Sequence, residues 1–226
     1  MKTVAIIGTP ALHKNYKAAL ENAGCKAVIF PDSSYVKKHA EVYDGLLLPG
    51  GGDVFSSLSE YKALPENTLS RCKERDGRAG RFDDFHLTLE QLLALHLFYE
   101  QKKPVFGICK GMQLINLYFQ GTIKEVSNRN CHRRAGSDTM HPADNLPGGF
   151  LHALFGPHML VNSNHHQCID LSGQNLQVIQ HAADKTAEAI SHLSAPIFGT
   201  QWHPERMPAL SRQDTSLLFR YFVSFL

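Results

Sequence analysis

Four short apolar runs punctuate the first half of the chain. They are TVAIIG at 3–8, KAVIF at 26–30, GLLL at 45–48 and PVFGI at 104–108. Each is rich in β-branched or aliphatic residues and bounded by glycine or proline, the signature of strands buried on both faces. Helix-like segments lie between and after them, at 14–23, briefly after Pro31, at 87–101 and at 111–120. In the third of these, Leu89, Leu92, Leu93 and Leu97 form one apolar stripe. Strand and helix in alternation predict a parallel sheet with crossover helices. Two stretches break the rhythm. Residues 53–85 and 126–149 are polar and aperiodic, and read as long surface loops. Shorter strand-like runs follow at 159–161, 176–179, 187–190 and 196–198, and an apolar helix closes the chain at 216–226. There is no internal repeat or linker, so residues 1–226 are expected to form one α/β domain.

Composition narrows the partners. A hydrophobic content of 43%, a charged content of 19% and a formal charge of +2 fit a globular protein. They give no reason to expect nucleic acid or an anionic membrane surface. No apolar run reaches membrane-spanning length, and MKTVAIIGTP reads as a first strand rather than a signal peptide. Five scattered cysteines, at 25, 72, 109, 131 and 168, favour free thiols and a reducing cytoplasm. Thirteen histidines raise the question of metal. Neither Cys131–His132 nor His165–His166–Cys168 has the paired ligand spacing of a structural zinc site. Adjacent His165 and His166 would face opposite sides of an extended chain, so neither a metal nor a cofactor is expected. The segment RCKERDGRAGR at 71–81 alternates its charges and reads as a solvated loop, with a role as a lid beside the site as the alternative.

Chemistry concentrates at three strand ends. In FGICKGMQLIN at 106–116, Cys109 stands at the turn from a buried strand into a helix. Open α/β sheets place ligands at such carboxyl ends of strands. The helix N-terminus favours a thiolate there, and the Lys110 N–H faces the space before the sulfur. Gly107 and Gly111 relieve crowding around the elbow. In FGTQWHPE at 198–205, His203 and Glu205 lie two residues apart just past a strand, with Pro204 keeping His203 out of helix. They suit a general base and the carboxylate that orients it. In LLLPGGGDV at 46–54, Gly50, Gly51 and Gly52 can approach a ligand closely and offer a second N–H. No Gly-Lys-Ser/Thr follows, so this is not a phosphate loop.

A glycine-rich turn, a cysteine elbow and a late His-x-Glu in this order resemble the class I glutamine amidotransferase superfamily. PVFGICKGMQLIN, VNSNHHQ at 161–167 and FGTQWHPE are most similar to its peptidase C26 branch of gamma-glutamyl hydrolases, the gamma-glutamyl-gamma-aminobutyrate hydrolase type. The resemblance implies a flavodoxin-like three-layer α/β/α sandwich with a mostly parallel central sheet. It implies Cys109 as nucleophile, His203 as base and then acid, and Glu205 as orienter. Backbone N–H groups of Gly50–Gly52 and Lys110 would form the oxyanion hole, and Gln113, His165, His166 and Gln167 would line the substrate pocket. The implied substrate is a small gamma-glutamyl amine or peptide, with no cofactor. The alternative is a glutaminase subunit delivering ammonia to a separate synthetase. The sequence is compatible with a homo-oligomer. It departs from the branch in carrying GGDVFSS where GGDVDP is common, and Lys110 where arginine is usual. Both changes fall on the leaving-group side.

Overall fold

The computed structural model describes residues 1–32, 40–62, 85–133, 137–207 and 214–226. The segment 71–81 and Cys72 lie outside the described residues. The described parts of the first half fold as the alternation predicts; the helix expected after Pro31 and most of the loop expected at 53–85 fall on residues 33–39 and 63–84, outside the described residues. This half comprises β1 (Thr3–Ile7), α1 (Pro10–Asn22), β2 (Lys26–Phe30), β3 (Gly45–Leu48), the short α2 (Leu58–Lys62), α3 (Phe85–Glu100), β4 (Val105–Ile108) and α4 (Lys110–Tyr118). The second half comprises β5 (Thr122–Glu125), α5 (Arg129–His132), β6 (Thr139–Asn145), α6 (Phe150–Phe155), β7 (His158–Ser163), β8 (Gln167–Leu171), β9 (Leu176–Ala182), β10 (Ala187–His192), β11 (Ile197–Thr200) and α7 (Ser216–Val223).

Nine of these strands form one sheet in the order β2-β1-β3-β4-β11-β10-β9-β6-β7. The pairings from β2 across to β11 are all parallel, and those from β11 to β7 are all antiparallel. The centre is therefore the expected parallel sheet, and the second half of the chain adds an antiparallel extension. β5 and β8 pair separately as a two-stranded ribbon.

Alternation along the buried strands builds two cores. Ala5, Ile7, Leu46, Leu48 and Val105 face Leu92, Leu95 and Phe98 of α3 and Met112 and Ile115 of α4. Val4, Ile6, Leu47, Phe106 and Ile108 face Tyr16 and Leu20 of α1 and Leu218, Phe219 and Phe222 of α7. Because every second side chain changes face, apolar strands must be covered on both sides, and three layers follow. The buried face of α3 is Thr88, Gln91, Leu92, Leu95 and Phe98, with Ala94 beside it. It is rotated from the leucine stripe, whose Leu89, Leu93 and Leu97 are only half-buried. The rotation lets Gln91 donate from Nε2 to the Ile7 carbonyl at 2.9 Å, so a polar residue occupies the core face with its amide nitrogen engaged.

The polar stretch 126–149 is not a loop throughout. It holds α5 and β6, whose inward residues are His141, Ala143 and Asn145. Polar or small residues on the buried face conceal the period-two pattern there. β5 and β8 are likewise short and half-polar.

Candidate active site

β4 and β11 are adjacent and parallel, with Ile108 beside Thr200. Residues just past these strand ends therefore meet. Cys109 occupies the corner from β4 into α4 with φ 52° and ψ −106°, a left-handed conformation that is costly for a side chain with a Cβ. Its N–H donates to the Thr200 carbonyl at 2.7 Å, and its own carbonyl accepts from the Gln113 N–H at 3.2 Å. The corner is possible because α4 lies almost on the sheet. A Cβ on Gly111 would stand 2.1 Å from the Leu48 carbonyl oxygen, and one on Gly107 would stand 2.6 Å from the Gly111 backbone. Cys109 is buried, and Gln201 Nε2 lies 3.6 Å from its sulfur.

His203 follows β11 and is 5% exposed. Its N–H donates to Asn162 Oδ1 at 2.9 Å, and its Nδ1 is 2.8 Å from Glu205 Oε1. The imidazole also makes a side-chain hydrogen bond to Cys109. With Nδ1 turned to Glu205, Nε2 is the nitrogen left for the sulfur. Burial opposes a charge on His203, but the neighbouring Cys109 sulfur and the Glu205 carboxylate outweigh burial and raise the imidazole to about 9. The imidazole is thus held toward its charged form, the proton donor that a leaving amine needs. Arg206 Nε adds a contact to Glu205 Oε1 at 3.4 Å, and Arg206 also reaches Asp138 Oδ1 at 3.1 Å. Asn162 Nδ2 donates to the same Asp138, so the groups that aim the imidazole are themselves held.

The glycine turn packs over this pair. A Cβ on Gly50 would lie 2.7 Å from His203 Cε1 and 3.5 Å from Cys109 Cβ. The Gly50 N–H donates to Tyr16 Oη at 3.0 Å, so it is engaged inside the protein. The Gly50 carbonyl accepts from His13 Nε2 at 3.3 Å, while His13 Nδ1 accepts the Thr9 N–H at 2.8 Å. Burial lowers the His13 imidazole below its usual range, consistent with this neutral tautomer. In a trans peptide the C=O and the next N–H point opposite ways, so anchoring the Gly50 carbonyl on His13 turns the Gly51 N–H away from it. Gly51 lies against Lys110, whose Cδ would be 2.9 Å from an added Cβ. Lys110 itself is 2% exposed.

Of the remaining expected site residues, His166, Gln167 and, through Gln167, Gln113 tie to the turn or the residues just after it, while His165 does not. Gln113 Nε2 donates to the Gln167 carbonyl at 3.0 Å and to Gln201 Oε1 at 3.2 Å. Gln167 forms a reciprocal pair with Val54, accepting its N–H and donating to its carbonyl, each at 2.9 Å. His166 Nε2 is 2.9 Å from Asp53 Oδ1. His165 turns the other way, with Nδ1 3.0 Å from the Gln167 carbonyl and Nε2 3.9 Å from Glu188. The two adjacent histidines thus face opposite sides.

Sequence reasoning alone does not mark Tyr16, His13, Asn162 or Gln201 as site residues. Asn162 and Gln201 lie inside the motifs VNSNHHQ and FGTQWHPE, and adjacency to the triad is their signal. Tyr16 and His13 sit on α1 at core-facing positions, where they look like ordinary packing. Buried Glu188, far from any motif, carries no sequence signal at all.

The family described as Peptidase C26 matches residues 1–205. A glutamine amidotransferase-like protein of Lactococcus lactis, YvdE, is 28% identical over 228 residues, covering 91% of each chain. The arginine-specific carbamoyl phosphate synthase small chain of Kluyveromyces lactis is 29% identical over 222 residues, covering 92% of this chain and 42% of its own. Among solved structures, a glutamine amidotransferase of Thermotoga maritima superposes with a TM-score of 0.62 at 12% identity, covering 90% of this chain and 76% of its own. A GMP synthase protein of Thermoplasma acidophilum superposes with a TM-score of 0.67 at 19% identity, covering 100% of this chain and 94% of its own.

Proposed function

The chain belongs to the peptidase C26 family, and from that premise we propose that it hydrolyses the gamma-glutamyl amide bond of a small gamma-glutamyl amine or peptide. The observation that carries this reading is the Cys109–His203–Glu205 arrangement, with Glu205 2.8 Å from Nδ1 and the ring hydrogen-bonded to the sulfur. Such a triad is an acyl-transfer device. The Cys109 thiolate adds to the gamma-carbonyl carbon. The carbonyl oxygen becomes an oxyanion held by backbone N–H groups, for which we assign Lys110 and Gly51. Gly50 is set aside because its N–H is engaged by Tyr16. Collapse of the adduct breaks the C–N bond as the His203 imidazolium gives its proton to the leaving amine. A thioester remains. Water then loses a proton to His203, adds to the thioester carbonyl and displaces the thiolate, releasing glutamate. The Gln113–Gln167–Val54 connection fixes the turn that closes over the acyl group.

The second reading is a glutaminase that supplies ammonia to a partner synthetase, and the similarity to a carbamoyl phosphate synthase small chain favours it. The chemistry at Cys109 is the same, so the leaving amine and the partner decide. The test is glutamate release by the purified chain from L-glutamine, gamma-glutamyl-gamma-aminobutyrate and other gamma-glutamyl amines, with Cys109→Ala in parallel. Turnover of a gamma-glutamyl amine, lost in Cys109→Ala, supports the hydrolase. Weak turnover of glutamine alone supports the glutaminase reading. Equal rates in the variant sink both.

A further inference from the structure

Behind the nucleophile, four elements bring buried polar side chains to one point. His132 comes from α5, His141 from β6, His165 from the turn between β7 and β8, and Glu188 from β10. His132 and Glu188 are fully buried, and His165 and His141 are 4% and 9% exposed. We propose that His132, His141, His165 and Glu188 form a four-ligand site for a divalent transition metal of the zinc class. The proposal does not depend on the reaction assigned above.

Three features carry it. The first is where the imidazole protons go. His132 Nε2 is 2.9 Å from Asp184 Oδ2, His141 Nδ1 is 3.1 Å from the Pro142 carbonyl, and His165 Nδ1 is 3.0 Å from the Gln167 carbonyl. Each far nitrogen therefore donates outward to an oxygen, and each near nitrogen presents a lone pair inward. Metal-binding histidines are held this way, through a carboxylate or carbonyl on the other nitrogen.

The second is what the lone pairs meet. His132 Nδ1, His141 Nε2 and His165 Nε2 lie 3.5, 3.5 and 3.9 Å from Glu188 Oε1. Neither Glu188 oxygen has a hydrogen-bond partner, and neither do the near nitrogens of His141 and His165. Ser163 Oγ is 3.3 Å from His132 Nδ1, but its hydroxyl donates to the His132 carbonyl at 3.0 Å. Three lone pairs converging on an unpartnered buried carboxyl leave a site that needs positive charge. A proton on Glu188 could serve only one of the three nitrogens; a metal ion serves all of them.

The third is size. The donor atoms of His132, His165 and Glu188 lie within 4.8 Å of one another; His141 stands outside that group and approaches it through Glu188, at 3.5 Å. Two ligands about 2.1 Å from a tetrahedral zinc stand roughly 3.4 Å apart. The three must draw in from separations of up to 4.8 Å, and His141 must swing further in to complete the set. Three imidazoles and one carboxylate suit zinc rather than calcium or magnesium, which take oxygen ligands. Four protein ligands leave no open position, which marks a structural ion. It would tie β6 and β10 to the segment that leads into Gln167, and Gln167 holds the glycine turn.

The experiment uses the full chain, stripped with chelator and titrated with Zn²⁺ against a chromophoric competitor, with metal content and thermal midpoint read together. We expect one zinc per chain and a raised midpoint. Asp184→Asn should weaken binding about 10- to 100-fold. Glu188→Gln, which keeps the shape and removes the carboxylate ligand, should abolish stoichiometric binding. Exposed-site controls Cys131→Ser and His158→Ala should bind as the parent does. Co²⁺ should give a tetrahedral spectrum without a thiolate band. No uptake by the folded parent overturns the site, and so does uptake that survives Glu188→Gln or vanishes in Cys131→Ser. If Glu188→Gln fails to fold, unchanged affinity in Asp184→Asn overturns it instead.

Discussion

Tyr16 shows how one residue can fix the state of a site it does not react in. Its hydroxyl accepts the Gly50 N–H at 3.0 Å and lies 3.4 Å from His203 Nδ1. Burial, then the charges of Glu205 and Cys109, push its phenol well above the usual range, so it stays neutral. Tyr16→Phe keeps the packing and strands the Gly50 N–H. An unmet buried donor costs about 1–3 kcal/mol. The turn can recover that by rotating the Pro49–Gly50 peptide, which would shift the glycines that follow and with them the Gly51 N–H. Removing an oxyanion donor typically costs about a hundred- to a thousandfold in rate. We expect Tyr16→Phe to lower kcat by about tenfold or more with KM little changed, and an unchanged kcat would refute the oxyanion assignment. Glu205 is tested through pH. It helps hold His203 up at about 9, where the imidazolium is the acid for the leaving amine. Activity should decline as pH rises through about 9. Glu205→Gln should move that alkaline limb to lower pH and reduce the rate at neutrality. A limb that stays in place would assign it to another group.

At the scale of elements, the close approach of α4 to the sheet makes the corner. Gly111→Ala puts a Cβ 2.1 Å from the Leu48 carbonyl oxygen, which is backbone of a buried strand and cannot yield cheaply. Overpacking of this kind costs about 1–3 kcal/mol or more. We expect a lowered urea midpoint together with a loss of Cys109 reactivity toward iodoacetamide, since α4 must slide and take the elbow with it. A normal alkylation rate in a folded Gly111→Ala chain would show that the elbow does not depend on this contact. The elements that carry the site are largely legible in the sequence. β1, β3, β4 and α4 announce themselves because strands covered on both faces must be apolar throughout, and glycine must appear where backbones touch. The antiparallel extension is much less legible. β6 buries His141 and Asn145, whose partners arrive from other strands only once the chain folds; Asn145 Oδ1 accepts from Gln180 at 2.7 Å. Buried polar residues erase the alternation that would reveal a strand. The histidine cluster is hidden for the same reason, since its members come from four separate elements and no spacing along the chain links them.

At the scale of the whole molecule, His203 and several other buried histidines are held in opposed directions, and stability against pH should record both. His203 is raised to about 9. A group raised on folding stabilises the protein fully below its free value, about 6.5, and that contribution is lost as pH rises through about 9. His165 is lowered to about 3, chiefly by burial and then by His132. His13, His141 and His192 are also lowered, each mainly by burial. A histidine lowered on folding contributes above about 6.5, and the contribution is lost as pH falls toward its folded value. Chelator-stripped protein should therefore have its highest urea midpoint near neutrality and lose stability on both sides. The alkaline loss should come in two stages. His203 governs the first, below about 9. The thiols of Cys25 and Cys168, pushed by burial from 9.0 to about 11, govern the second. His203→Gln should flatten the first stage and leave the second, while Cys25→Ala should soften only the second. If His203→Gln retains the full decline between about 7 and 9, the imidazolium is not the group that links folding to pH there. The charged imidazole at the centre of the proposed chemistry would then lose its support.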